Sequence, residues 1–299
     1  MFFPVFPDYT TLADNSHFFP PARQERRLAP TAAGALYSRP VDSQEDAARR
    51  FCGRVADYTR SRPGYPAEII GLLERECGLR PGSVVADMGS GTGKLSELFL
   101  ARGNTVYGVE PNQEMRREAE RLFAGNPLFR SIEGRAEATG LPDLSADIAV
   151  AGQAFHWFDP DLARVEFHRI LRGEGFAALA WNDRNDAGSA LLAAYDEFLR
   201  EFSTDYAEVE SRHAASAGTM ERFFSGGVPV RAIFPNSQRL DREGLRGRYR
   251  SCSYALASSD PRFAEAMERL DEIFDAHASG GSVVMPYETV VFHGKVGGR

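Results

Sequence analysis

Ser83-Val-Val-Ala-Asp87, then Met88-Gly-Ser-Gly-Thr-Gly93, then a helical run from Lys94 to Ala101, then Thr105-Val-Tyr-Gly-Val109 with Glu110 behind it: this stretch decides the fold. A short apolar run bounded by turn formers reads as a buried strand, and the β-branched run after the helix reads as a second. Strand, tight turn, helix and strand make a βαβ unit, which brings parallel strands under a covering helix. Further strands are expected at Leu128–Ile132, Asp147–Ala151 and Phe176–Trp181, with helices at Gln113–Phe123 and Asp161–Leu171 between them. Five strands in this alternation predict an α/β, doubly wound, mostly parallel sheet with right-handed crossovers.

The flanks complete the layout. From Glu45 the polarity is helical through Phe51, Val55 and Tyr58, until Arg62-Pro-Gly-Tyr-Pro66 breaks it, and a second helix is expected over Ala67–Cys77. Residues 1–45 carry scattered prolines and no sustained period, and read as an extended arm. After Trp181 the rhythm turns helical, at Ser189–Phe202, Thr219–Phe224, Asp241–Tyr249 and Pro261–His277. Two last strands are expected at Val228–Phe234 and Ser282–His293, and Tyr287–His293 has the content of an edge hairpin. The expected organisation is the arm over 1–45 and a seven-stranded domain over 46–299, with a helical lid at about 187–280 inserted around the last strands.

Composition narrows the function classes. A formal net charge of -7, with no dense Lys/Arg run, opposes attraction to phosphate backbones, so nucleic acid is not an expected partner. Cys52, Cys77 and Cys252 are an odd, scattered set without a CxxC pair, which fits a reducing, cytoplasmic setting rather than a disulfide framework or a zinc site. The apolar start at Met1–Phe6 is broken by Pro4, and no run reaches the roughly 20 apolar residues of a membrane span, so neither a leader nor a membrane is expected.

The glycine loop lets the backbone turn tightly and approach a ligand without Cβ clashes. Two familiar nucleotide motifs fail on residue identity. A dinucleotide fingerprint needs Gly where Lys94 stands, and a phosphate-binding loop ending at Gly93-Lys94 needs Gly at Met88 and Ser or Thr at Leu95. A nicotinamide-dependent oxidoreductase is disfavoured by Lys94 on that ground. Glu110, at the end of the second strand, stands where a carboxylate can accept hydrogen bonds from the two ribose hydroxyls of an adenosine. The alternative for the loop is a plain strand-to-helix turn, and Glu110 in register argues against it.

The runs Val85-Ala-Asp-Met-Gly-Ser-Gly-Thr-Gly93, Gly108-Val-Glu-Pro-Asn112 and Phe155-His-Trp-Phe-Asp159 resemble the class I S-adenosylmethionine-dependent methyltransferases of the type 11 group. Within that group they are most similar to the trans-aconitate methyltransferase-like branch, over roughly Phe51 to Val296. The resemblance implies a Rossmann-like fold, S-adenosylmethionine as cofactor with S-adenosylhomocysteine as its product, and no metal. It implies that Asp87 steadies the loop near the methionine amino group and that Gly89, Gly91 and Gly93 approach the cofactor. Glu110 would bind the ribose, Pro111 and Met115 would flank the adenine, and Ala136, Glu137, Gln153 and Ala154 would complete the pocket. Met88 and Ser90 replace the family's usual Leu and Cys with residues of similar size.

Methyl transfer is an in-line displacement, so the protein's task is to hold the acceptor about 3 to 3.5 Å from the methyl group in a dry pocket. The expected acceptor is a small molecule bearing a carboxylate or hydroxyl, and the alternative is a non-catalytic sensor or assembly protein that only binds S-adenosylmethionine. His156 is a candidate base for an acceptor proton, with Phe155 and Trp157 excluding water; a carboxylic acid acceptor needs no base, and a histidine there otherwise bonds backbone. Tyr58, Arg62 and Tyr65 lie in the segment that folds over the cofactor in this family; Tyr58 is expected at the cofactor, and Arg62 and Tyr65, with Trp157, at the substrate. Arg246, Arg248, Tyr249, Arg250 and Tyr254 form a basic and aromatic set in the lid, read either as a site for an anionic acceptor or as a solvated helix face. A monomer or a homodimer is compatible with all of this.

Overall fold

The computed structural model describes residues 53–184, 188–209, 220, 223–224 and 229–297. The arm expected over 1–45 and the start of the helix expected from Glu45 lie outside these residues. Two helices, α1 (Val55–Ser61) and α2 (Glu68–Glu76), lead into β1 (Val84–Met88), α3 (Ser96–Ala101), β2 (Thr105–Val109), α4 (Gln113–Leu122), β3 (Phe129–Ile132) and β4 (Ala146–Gly152). A 3-10 turn at Phe155–Trp157 follows, then α5 (Pro160–Ile170), β5 (Leu171–Asp183), α6 (Ala190–Glu201), β6 (Val230–Leu240), α7 (Arg242–Arg250), α8 (Phe263–His277) and β7 (Val283–Lys295).

The strands form one seven-stranded sheet in the order β3-β2-β1-β4-β5-β7-β6. Neighbours from β3 through β5 pair in parallel, while β7 runs antiparallel between β5 and β6. The expected doubly wound, mostly parallel sheet is present, and its order reverses between β1 and β4, where open α/β sheets bind ligands. Period-2 alternation divides the core. Ala86, Met88, Ala149, Ala151, Leu179 and Trp181 pack one face with α5, and Val85, Ile148, Val150, Ala178 and Ala180 pack the other with α2 and α3. Burial on both faces explains why these strands read as continuous apolar runs.

The last two strands differ from expectation. Tyr287–His293 is not at an edge: β7 is covered on both sides, with Val291 fully buried, and the edge strand is β6. β6 also continues to Leu240, six residues beyond the expected end, because its full length pairs with β7 from Val230 opposite His293 to Leu240 opposite Val283. The alternating polar residues of Asn236-Ser-Gln-Arg239 hide that continuation in the sequence. At the front of the fold α3 begins at Ser96 rather than Lys94, since the chain spends Gly91–Leu95 completing the loop. Of the helix expected at Thr219–Phe224, Met220 and Phe223 are helical and buried, and the rest lies outside the described residues except Phe224.

Helices α6, α7 and α8 pack on one another through Tyr195, Phe198, Leu245, Tyr249, Leu270 and Ile273. Helix α1 is bound chiefly to this group, and its Ser61 carbonyl also accepts from the Gln238 amide on β6 at 2.9 Å. Arg54 donates to the carbonyls of Arg250, Cys252 and Ala255, Arg62 donates to the carbonyl of Ser251, and Arg250 makes a two-point contact with Asp57 at 2.8 and 2.9 Å. Gly247 is where α7 meets α1: a Cβ there would lie 2.4 Å from Ser61 Oγ. Among the described residues no helix is long and apolar enough to cross a membrane.

Candidate functional site

The carboxyl ends of β1, β2, β4 and β5 deliver four connections to one edge of the sheet, and two adjoining cavities lie there. The loop after β1 is shaped by three left-handed glycines, Gly89, Gly91 and Gly93, at φ of 68°, 56° and 87°. Gly89 and Ser90 both donate their N–H groups to the Val109 carbonyl, which joins the loop to the end of β2. Gly93 serves packing: a Cβ at that position would lie 2.3 Å from the Phe123 ring, so Gly93→Ala is expected to cost about 1–3 kcal/mol of stability in chemical denaturation.

The smaller cavity is lined from the loop by Gly89 and Gly91, from the turn after β2 by Glu110, Pro111 and Asn112, and from α4 by Met115. Ala136 closes it from beyond β3, Gly152, Gln153, Ala154, Trp157 and Phe158 from beyond β4, and Tyr58 from α1. Glu110 holds this corner together: its Oε2 accepts from Gly91 N–H at 2.9 Å and its Oε1 from Asn112 N–H at 2.8 Å. Burial raises its carboxyl above the ordinary value, and these two backbone bonds oppose the rise. Asn112 in turn caps α4, its Oδ1 accepting from Met115 N–H.

Asp87 lies in the end of β1, fully buried. One carboxylate oxygen accepts from Ser96 Oγ at 2.6 Å, whereas Oδ1 has no partner among the described residues. Burial pushes this carboxyl up to about 7, and nearby Glu110 adds to the rise against the Ser96 bond. An unpartnered acceptor on a buried acid is costly.

Not every expected residue faces the cavity. Glu137 accepts from Asp159 N–H at 2.8 Å and so supports the cap of α5. The Tyr65 ring packs over Gly152, where a Cβ would lie 2.5 Å from its hydroxyl, and Tyr65 lines neither cavity. Gln153 lines both cavities at a φ of 54°, an uncommon conformation for a residue with a side chain, and its amide donates to the Asn182 carbonyl. Strain of this kind persists where surrounding structure fixes it, and it clusters at sites of function.

The larger cavity, about 390 Å³, shares Tyr58, Gln153 and Trp157 with the smaller one. His156 and Arg62 line it, as do Asn182, Asp183 and Arg184 at the end of β5, Asp196 and Arg200 on α6, Tyr206, and Arg248 and Tyr254. Of the basic and aromatic lid set, only Arg248 and Tyr254 reach this cavity. Arg246 pairs with Asp271, Arg250 with Asp57 and Glu243, and the Tyr249 hydroxyl is buried on the Phe202 carbonyl. The residues that the sequence did not single out include Asn182–Arg184, those on α6, and Tyr206. Their signal was present: Asn182-Asp-Arg184 is a polar run directly after the apolar body of β5, at the ligand-binding edge of the sheet. Among the described residues no group of three or more His, Cys, Asp or Glu side chains is placed to hold a metal ion.

Residues 86–179, from inside β1 to within β5, match the model of the methyltransferase domain family. An uncharacterized methyltransferase of Mycobacterium tuberculosis is 38% identical over 144 residues, 48% of this chain and 56% of the relative. One from Schizosaccharomyces pombe is 34% identical over 140 residues, 46% of this chain and 55% of the relative. The chain thus spans little more than half the length of these curated relatives. Among solved structures, a putative type II methyltransferase from Anaeromyxobacter dehalogenans shares the fold, with a TM-score of 0.53 and 19% identity over 79% of this chain and 98% of the other. A putative methyltransferase from Anabaena variabilis does so with a TM-score of 0.51 and 22% identity, over 79% of this chain and 99% of the other.

Proposed function

We propose that this protein binds S-adenosylmethionine in the smaller cavity and methylates a small molecule held in the larger one. One observation carries the proposal: Tyr58, Gln153 and Trp157 line both cavities, so the two compartments meet at a shared wall. The residues present fit the cofactor. Asp87 Oδ1, a buried acceptor without a partner, suits the amino group of the methionine moiety. Each Glu110 oxygen accepts one backbone N–H, which leaves lone pairs for the ribose hydroxyls. Met115 and Ala136, both buried, offer apolar surface to the adenine beside Pro111.

When bound, S-adenosylmethionine supplies an electrophilic methyl group. The chain's part is to position the acceptor and keep water out, which is the larger share of catalysis in a displacement of this kind. Trp157 supplies bulk at the junction, and α1 with α6–α8 forms the proposed lid over it. His156, on the acceptor side, is the group placed to take a proton from an acceptor hydroxyl or amine.

The test is incubation with methyl-labelled cofactor and a metabolite extract. Label is expected in a low-mass product, and His156→Asn is expected to lower kcat while leaving cofactor affinity in place. Label confined to protein or RNA would overturn the acceptor class. Tight cofactor binding with no labelled product would establish the sensor instead.

A further inference from the structure

We infer that the larger cavity takes an acceptor carrying an oxyanion, a carboxylate or phosphate apart from the atom that is methylated, and that Arg184 and Arg248 grip it. The inference rests on the methyl-transfer reading for the word acceptor, and on the cavity alone for the word oxyanion.

Three guanidinium groups converge on this space without a carboxylate bonded to any of them, among the described residues. Arg184 donates from Nη2 to the Tyr206 hydroxyl at 2.8 Å and sits over the rings of Tyr195 and Tyr206. Arg248 is 4% exposed, and it donates to the Tyr287 hydroxyl at 3.1 Å and the Cys252 sulfur at 3.2 Å. Arg62 donates to the Ser251 carbonyl, lies over Tyr58, and keeps a buried Nε–H without a partner. By contrast, the buried Arg116 binds the Glu133 carboxylate at 2.8 Å.

The acidic groups nearby do not balance the charge. Asp196 is committed, its Oδ1 accepting from the Tyr206 hydroxyl and its Oδ2 bound to Arg200. Among the described residues, four guanidiniums, of Arg62, Arg184, Arg200 and Arg248, line the cavity against the two carboxylates of Asp183 and Asp196. Burial would raise the Cys252 thiol, yet Arg62 and Arg248 bring it down to about 7. Even as a thiolate it offsets one cation. The Tyr195 ring, which lies against the Arg184 guanidinium, is fully buried, and among the described residues its hydroxyl has no partner.

Desolvated cations are expensive unless something neutralises them, and a guanidinium fork matches an oxyanion at two points. A ligand that supplies acceptors and negative charge would satisfy Arg184, Arg248 and Arg62 together. A neutral or cationic ligand would leave them as they are.

The test uses protein saturated with S-adenosylhomocysteine, with succinate, glutarate and inorganic phosphate as probes and succinamide as the uncharged control. At least one oxyanion is expected to bind saturably below about 50 mM in calorimetry and to raise Tm, with succinamide inert. Arg184→Met is expected to weaken that binding by about tenfold or more, while Arg248→Met serves as the second variant where it folds. Binding by the dicarboxylates or by phosphate decides which oxyanion the site prefers. No saturable binding by any probe, equal binding of succinamide, or an unaltered response in Arg184→Met would overturn the inference. A labelled methylation product that passes unretained through an anion exchanger at neutral pH would overturn it as well. S-adenosylhomocysteine affinity, measured first in wild type and Arg184→Met, separates the two readings: its absence from the wild type removes the cofactor reading, whereas its presence without an oxyanion response removes this one.

Discussion

Asp87→Asn is expected to make the ligand-free protein more stable at pH 8 and to weaken S-adenosylhomocysteine binding by about 30-fold or more. Both effects follow from one buried oxygen without a partner. The Asp87 carboxyl is raised from its ordinary value of 3.8 to about 7, so between those limits the folded state binds a proton that the unfolded state releases. Stability therefore falls as pH rises through that window, and at pH 8 the full cost of a desolvated charge is present. At about 1.4 kcal/mol per unit the cost is on the order of 4 kcal/mol. Asparagine keeps an acceptor for Ser96 and carries no charge, so chemical denaturation at pH 8 should give a higher midpoint than wild type.

The same charge is what an ammonium group requires. Binding draws the carboxyl back down, so below pH 7 binding must expel a proton, and wild-type affinity should fall by about tenfold between pH 8 and pH 6. In Asp87→Asn that slope should be absent. Calorimetry at the two pH values, in buffers of differing ionisation heat, measures affinity and proton release together. A mutant that binds as tightly as wild type would remove Asp87 from the cofactor site.

Glu110→Ala is expected to weaken S-adenosylhomocysteine binding by about 1.5 to 3 kcal/mol, the range for hydrogen bonds to a charged group. Its carboxylate bridges Gly91 and Asn112, so alanine also frees the loop from the head of α4. Part of the loss should then be kinetic, as faster dissociation from a looser loop. Glu110→Gln keeps size and one acceptor oxygen, and is expected to fall between wild type and alanine. Unchanged affinity in a folded Glu110→Ala protein would remove the ribose assignment.

The glycine loop and Glu110 were legible because local chemistry specifies them: a strand end, φ angles that favour glycine, and an acid one strand later. Met115 and Ala136 could be placed only through family likeness, since nothing in their own neighbourhood marks them as pocket walls. The larger cavity was legible only in part, through Arg62, His156 and Trp157. Its walls come from Tyr58, Trp157, Arg184, Asp196 and Arg248, which only the closed fold assembles. Within α7 the sequence did hold a clue. Arg246 and Arg250 are four apart and share a face, which lies against Asp271 and Asp57, while Arg248 falls on the opposite side and turns inward. The position of β7 was hidden for another reason, since strand content does not reveal which neighbours a strand takes.

Helix α1 belongs to two parts of the molecule at once. Tyr58 stands over Gly91, 3.9 Å from where a Cβ would be, while Arg54, Asp57 and Arg62 bind α1 to residues 250–255. α1 therefore cannot swing away from the glycine loop without either breaking those bonds or carrying the end of α7 with it. A single door serves both rooms, and whatever bolts it on one side bolts it on the other.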